Sequence, residues 1–194
     1  MKPCSAHALT LLSVRDFPGR LLITVITGFL LAATPFLTIR AAAPAQPPVR
    51  VAILDFELND LTLQPGIPAE LERTASIAPM LRTTLAEQTD FQIISIAPDA
   101  QAKADTAFGY LFEHANLAAA LGAEHNADWI LVGRLHKPSF LFAYMMGRLV
   151  NVQSGQLLGD YLVEVKGATP KLTQRGVNSM AERVSHTIKQ QTSP

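Results

Sequence analysis

One cysteine, Cys4, stands in the whole chain. A disulfide needs two, and a thiolate metal site or a Cys-x-x-C redox pair needs more than this chain holds. Cys4 also precedes the long apolar run, so it is not placed as a lipid-acceptor cysteine. Net charge is missing too, since 16 basic residues face 16 acidic ones. That balance leaves no electrostatic footprint for nucleic acid. No G-x-G-x-x-G fingerprint, phosphate-cradling glycine loop or H-E-x-x-H pair occurs. Ser154 lies in Val152-Gln153-Ser154-Gly155, without the glycine two residues earlier that a nucleophile elbow requires, and reads as a turn serine. There is no internal repeat.

What is present begins with an address. Lys2, Arg15 and Arg20 precede an uncharged apolar run from Leu21 to Ile39, and small residues then lead into a Pro-rich segment. Basic start, apolar centre and small-residue exit are the three parts of an export signal. Ala43 and Ala45 fit the two small-residue positions for a cut after Ala45, whereas a cut after Ala43 would put Pro44 next to the scissile bond. The alternative is an uncleaved inner-membrane anchor, because the run approaches the ~20 residues that span a bilayer. Either way the positive charge stays inside and the remainder lies outside the cytoplasm, periplasmic or secreted. The leader is then residues 1–45, with membrane contact through it alone unless it stays uncleaved. Beyond Ala45, 12 basic and 15 acidic residues remain, a net charge of −3.

Residues 46–48 form a stiff Gln-Pro-Pro linker, 49–190 one domain and 191–194 a tail. Arg50 to Leu58 is apolar until Asp55, as in a strand covered on both faces. Asn59 to Ile67 reads as a loop. A helix follows with Ser76 as cap, Pro79 in its first turn and a stripe of Ile77, Leu81 and Leu85. Phe91 to Ile96 is a second strand, and Asp99 to Thr106 a short, poorly packed helix. Asn116 to Gly122 ends another helix, with Gly122 just past its last turn. Asp128 to His136 is the third strand, and Phe140 to Val152 and Leu157 to Lys166 form a hairpin about the Gln153 to Gln156 turn. Thr169 caps, and Pro170 opens, a last helix with the stripe Val177, Met180 or Ala181, Val184 and Ile188. The order β-α-β-α-β-β-β-α predicts a single α/β domain with a mixed sheet of about five strands.

Site candidates are few. Asp55 and Glu57 alternate along the first strand, with Asp60 beyond it, and carboxylates so placed can hold a divalent cation or exchange protons. The bland reading, a strand end turning into solvent, is the stronger, for no further ligand set lies nearby. His114, His125 and His136 are evenly spaced but fall on a helix, a loop and a strand end, so the spacing gathers no zinc site. Phe140-Leu141-Phe142-Ala143-Tyr144-Met145-Met146 does not alternate, although a strand buried on one face should. Either both faces are covered, or Phe140, Phe142, Tyr144 and Met146 meet a partner, on a hairpin expected at the sheet edge.

Three blocks carry a resemblance: Val51 to Glu57, Leu117 to Ala123 before Ala127 to Gly133, and Leu149 to Leu157. Together they resemble a family of exported bacterial proteins filed as a domain of unknown function, whose members often stand near quinoprotein alcohol dehydrogenase genes. In the same order they resemble the α/β domain of the TolB amino-terminal region and of the curli-secretion lipoprotein. The likeness covers Val49 to Val184 and implies an assembly or interaction module. Tyr110 to Glu113 lacks the cysteine pair of many members, and Lys166 to Pro170 replaces a more polar loop, so a redox or metal role tied to those cysteines is not expected. The chain thus reads as an exported noncatalytic accessory domain with a protein partner and no cofactor, which the resemblance associates with a periplasmic quinoprotein dehydrogenase system; the alternative is a metal-dependent enzyme or small-ligand binder using the acidic residues. N-terminal sequencing of protein recovered from cells should find Gln46 first, and Met1 intact on membrane-bound protein would establish the anchor instead.

Overall fold

In the computed structural model, residues 47–192 are described; the leader and its cleavage point lie outside them. Among the described residues no helix is long and apolar enough to cross a membrane.

The apolar stretch at the domain start is not one strand but two, β1 (Val49–Ile53) and β2 (Glu57–Asp60). Both pair in parallel with β4 (Trp129–Lys137), Ile53 opposite Leu131 and Glu57 opposite Arg134. Four steps on one chain therefore match three on the other. The additional residue is a bulge, which breaks the ladder and changes the side to which later residues point. Neighbouring side chains seal the break. The Gln101 amide donates to the Asp55 carbonyl and accepts from the Asp55 N–H, and the Arg82 guanidinium donates to the Ile53 carbonyl at 2.6 Å. Phe56 lies over Gly133, where a Cβ would collide with its ring.

β3 (Phe91–Ile94) joins the other side of β1 in parallel, while β5 (Phe142–Asn151) and β6 (Leu157–Lys166) continue from β4 in antiparallel fashion. The sheet order is β3-β1-β4-β5-β6, with β2 also on β4. The fold is the expected mixed α/β one with a sixth strand. A correction concerns the hairpin: β5, which carries Phe142, Tyr144 and Met146, lies inside the sheet because β6 covers its other side, and β6 is the edge.

Two helices cover one face. α1 (Pro68–Ala86) and α5 (Pro170–Thr192) bury Ile77, Leu81, Leu85, Val177, Met180, Val184 and Ile188 against Val51, Ile53, Leu131, Met145 and Val163. α5 has the expected cap, the Thr169 hydroxyl accepting from the Leu172 N–H at 3.4 Å, and runs to Thr192, into the expected tail. α1 begins eight residues before the expected cap Ser76, which instead donates from its hydroxyl to the Arg73 carbonyl inside the helix. Two prolines competed for the first position. Pro68 takes it, where the missing N–H costs nothing, and Pro79 is carried inside because Ile77, Ala78 and Leu81 are buried around it.

Across the sheet, α2 (Pro98–Ala104), α3 (Tyr110–Glu113) and α4 (Ala115–Glu124) set Leu111, Phe112, Ala118 and Leu121 against Ala52, Leu54, Ile130, Val132 and Val150. Gly122 is a helix residue, not the cap. Its Cα closes on the sheet, where a Cβ would stand 2.7 Å from Val152, and the left-handed residue after α4 is Asn126.

Leu131 is fully buried in the strand paired on both sides. Leu131→Ala should cost about 2–5 kcal/mol in denaturant unfolding; a loss below about 0.5 kcal/mol, usual for surface positions, would contradict this packing.

Candidate functional site

The bulge sends the three acidic candidates to different places. Asp55 sits in the break itself and pairs with Arg82 at 2.8 Å. Glu57 points to the α3 side, where its carboxylate accepts from Arg134 at 3.1 Å and from the Gly109 N–H at 2.6 Å. Asp60 turns to the α1 side. It accepts from the Thr62 hydroxyl at 2.7 Å and from the N–H groups of Thr62 and Gly66, and faces Lys137 Nζ at 3.7 Å. The expected alternation of Asp55 and Glu57 on one strand is therefore corrected, since an inserted residue separates them. Each carboxylate is neutralised by its own cation.

Asp60 belongs to a buried quartet. Lys137 Nζ lies between Asp60 and Glu70, 3.1 Å from the latter, and Glu70 also meets Arg73 at 3.3 Å. Arg73 donates further to the Thr173 hydroxyl and the Gly167 carbonyl. All four side chains are almost wholly shielded, and two positive charges balance two negative ones. Burial pushes the Asp60 carboxyl up, but the hydrogen bonds from Thr62 and Gly66 and the charge of Lys137 together outweigh it and hold it below the ordinary carboxylate range.

On the opposite face a chain of charges crosses the sheet. Glu57 meets Arg134, Arg134 meets Glu113 at 3.6 Å, Glu113 meets Arg148 at 2.9 Å, and Arg148 faces Asp160 at 3.6 Å. The Phe112 ring lies between the guanidiniums of Arg134 and Arg148, 4.2 and 4.5 Å from its centroid. Flat, weakly hydrated guanidiniums suit such stacking. Arg148 also donates to the Phe112 carbonyl at 2.7 Å. The belt ties α3 to β2, β4, β5 and β6. No single residue of it announced this from sequence, because its members come from five elements.

Where the belt ends, helix cover ends. Beyond it β5 presents Phe142, Tyr144 and Met146, half-buried, while Ala143 and Met145 between them are fully buried under α5 and α1. The run that fails to alternate in residue type thus alternates in burial. Tyr144 stands between His136 and Glu164, and Met146 between Arg134 and Leu162. Tyr144 packs edge-on to Phe142, with ring centroids 5.5 Å apart, and stacks beside His136 at 6.4 Å. Phe140 lies outside the strand, at the exposed hairpin tip.

The histidines stay apart. His114 and His125 bond the carbonyls of Tyr110 and Leu121 on their own helical turns, and His136 pairs through Nδ1 with the Asn59 amide at 3.0 Å. Among the described residues no group of three or more His, Cys, Asp or Glu is placed to hold a metal ion.

With this geometry in place, comparison with known proteins becomes informative. Residues 49–184 match the family model DUF3280, described as "Protein of unknown function (DUF2380)", and the chain belongs to that family. Among curated proteins none matches it in sequence. Among solved structures, TolB from Acinetobacter baumannii is similar at 18% identity and a TM-score of 0.48, over 76% of this chain and 30% of that one. The LpoB C-terminal domain from Salmonella enterica gives 12% and 0.43, over 64% and 87%. A PelC dodecamer from Paraburkholderia phytofirmans gives 16% and 0.40, over 72% and 87%. The chain spans less than a third of the TolB chain, and likeness at these levels says nothing of activity or partner.

The buried quartet has a measurable consequence. Lys137→Ala would leave Asp60 and Glu70 shielded beside the single cation Arg73 and should cost about 3–5 kcal/mol. Because the Asp60 carboxyl is depressed, its contribution is complete above the ordinary carboxylate range and is lost as pH falls below that range through the folded-state value. Asp60→Asn should therefore flatten the acid limb of the stability curve; an acid limb unchanged in the variant would remove Asp60 from this role.

Proposed function

We propose that this member of a family without known function is a noncatalytic accessory domain that works outside the cytoplasm by binding another protein across the open part of its sheet. One observation carries this: β1 and β4 are covered on both faces, whereas Phe142, Tyr144 and Leu162 on the outer face of β5 and β6 belong to neither core cluster, and Met146 at their border is half-buried against the second. Apolar side chains ringed by polar ones are the composition of a docking patch. Around this strip stand Arg134 and Arg148, held by the belt, with Asp160, Glu164 and Lys166 on β6. The contact is through the face and not by strand addition. β6 carries alternating exposed charges, and Arg183 donates to the Leu162 carbonyl at 3.0 Å, both of which discourage pairing with another chain.

The ion pairs of Asp55, Glu57 and Asp60 support the noncatalytic reading, since a carboxylate already neutralised and hydrogen-bonded is a poor base and a poor cation ligand. The resemblance to a family met near quinoprotein alcohol dehydrogenase genes names a partner system to try first.

Tyr144→Lys tests the surface. Its side chain is half-buried beside Phe142, His136 and Glu164, so the domain should lose about 1 kcal/mol or less while in-cell cross-linking to its partner disappears. Unchanged cross-linking in a stably folded variant would exclude this face.

A further inference from the structure

Among the described residues the exposed large apolar side chains are unevenly placed: Leu157, Leu158 and Leu162 lie on β6 and Phe108 just before α3, while six others share one end. Leu61, Leu63, Ile67, Leu71, Phe140 and Leu141 all gather where β2 and β4 end, with Leu63 95% and Leu141 78% exposed. Backbone bonds unite the loops that bear them. The Leu61 N–H donates to the Lys137 carbonyl and the Gly167 N–H to the Leu141 carbonyl, each at 2.9 Å, so the loop after β2, the β4–β5 tip and the loop after β6 form one pole. Neither Asp, Glu, Lys nor Arg occurs from Leu61 to Ala69, from Pro138 to Gly147 or from Gly167 to Pro170. Asp60, Glu70, Arg73 and Lys137, which border these segments, turn inward and neutralise one another. Lys166 and Lys171 are exposed on either side of the last of these segments, Lys166 with Glu164 3.9 Å away, and Glu72 is exposed on α1.

A lone exposed leucine is ordinary, but loop tips in water are normally polar. Here charge is withdrawn from the tips into a buried quartet, at the position where a solvated loop would use it. A protein surface of standard type is met by a broad patch with a polar rim; two hydrogen-bonded loop tips that expose Leu and Phe and carry no charge, flanked by Lys166 and Lys171, match a different occupant. Hydrocarbon accepts the tips while phosphate groups face the lysines, the layering of an interfacial anchor. We propose that this pole inserts shallowly into a phospholipid surface, with Leu61, Leu63, Phe140 and Leu141 entering below the headgroups. Membrane contact would then not be confined to the leader, and the open sheet face around Met146 and Leu162 would remain lateral and free for a partner.

The test reads the pole locally, so that the leader's own affinity for lipid does not enter. In the full chain with Cys4→Ser, a single thiol is introduced as Leu63→Cys, as Leu141→Cys or, at the turn of the opposite pole, as Ser154→Cys, and labelled with a polarity-sensitive fluorophore. The probe surface is vesicles of phosphatidylethanolamine with phosphatidylglycerol, with and without brominated acyl chains. Labels at 63 and 141 should shift to the blue and be quenched about twofold or more by the brominated chains, while the label at 154 stays unchanged. Adding Leu61→Asp to the chain labelled at 63 should abolish that quenching with an unaltered melting curve. Labels at 63 and 141 that remain as wet as the one at 154 would overturn the proposal. A blue shift without bromine quenching would equally overturn it, in favour of contact with protein. The two labelled sites are independent, so each chain that melts like its parent decides by itself.

Discussion

One inserted residue between Ile53 and Glu57 governs where the chemistry of this domain goes. Without it, Glu57 would share a side with Val51 and Ile53 and be forced into the apolar layer under α1 and α5. With it, Glu57 emerges on the other face, opposite Arg134, and Asp60 arrives on the α1 side within reach of Lys137. Phase reversal by a bulge moves a charge across the sheet while keeping the same partner strand, because pairing with β4 resumes at Glu57. The cost is a gap in the ladder, met here by Gln101, Arg82 and the close fit of Phe56 over Gly133.

From that switch follow two charged systems of different character. The quartet of Asp60, Glu70, Arg73 and Lys137 is buried and closed, and it couples the loop after β2 to α1 and to the start of α5 through Thr173. Such a group is hard to justify by stability alone, since apolar replacements of the same shape are often as good. Its clearer consequence is orientation, together with a pole emptied of surface charge. The belt from Glu57 to Asp160 is partly exposed and open-ended, and its role is to clamp α3 through the doubly stacked Phe112.

Cover by helices is uneven for a related reason. α2, α3 and α4 occupy the face over β1 and β4 and reach β5 at Val150 and Met146, so Phe142, Tyr144 and Leu162 further out have an apolar layer on one side of the sheet only. β5 accordingly keeps its inward residues wholly buried and its outward ones half so. Both proposals draw on this asymmetry, one on the lateral face and the other on loop tips without charge.

How much of this was legible beforehand depended on range. Periodicity located the last helix with its Thr169 cap, the β5–β6 hairpin with its turn, and the α/β alternation, because each is set by contacts within a few residues. Short-range rules misplaced the start of α1, where Pro68 and Pro79 made equal local claims and burial of Ile77 and Leu81 decided between them. They misjudged Gly122, whose reason is Val152 in the turn that follows β5. They also ran β1 and β2 together, since a bulge is defined by its partner strand and leaves no mark in the strand that carries it. Composition by itself determined that the chain holds no cysteine pair, no formal net charge and a run of apolar residues too even for a simple strand. Only the tertiary structure decided that the three carboxylates are separated and neutralised, that β6 rather than β5 is the edge, and that scattered leucines share one pole, because each of these is a relation between residues far apart in the chain.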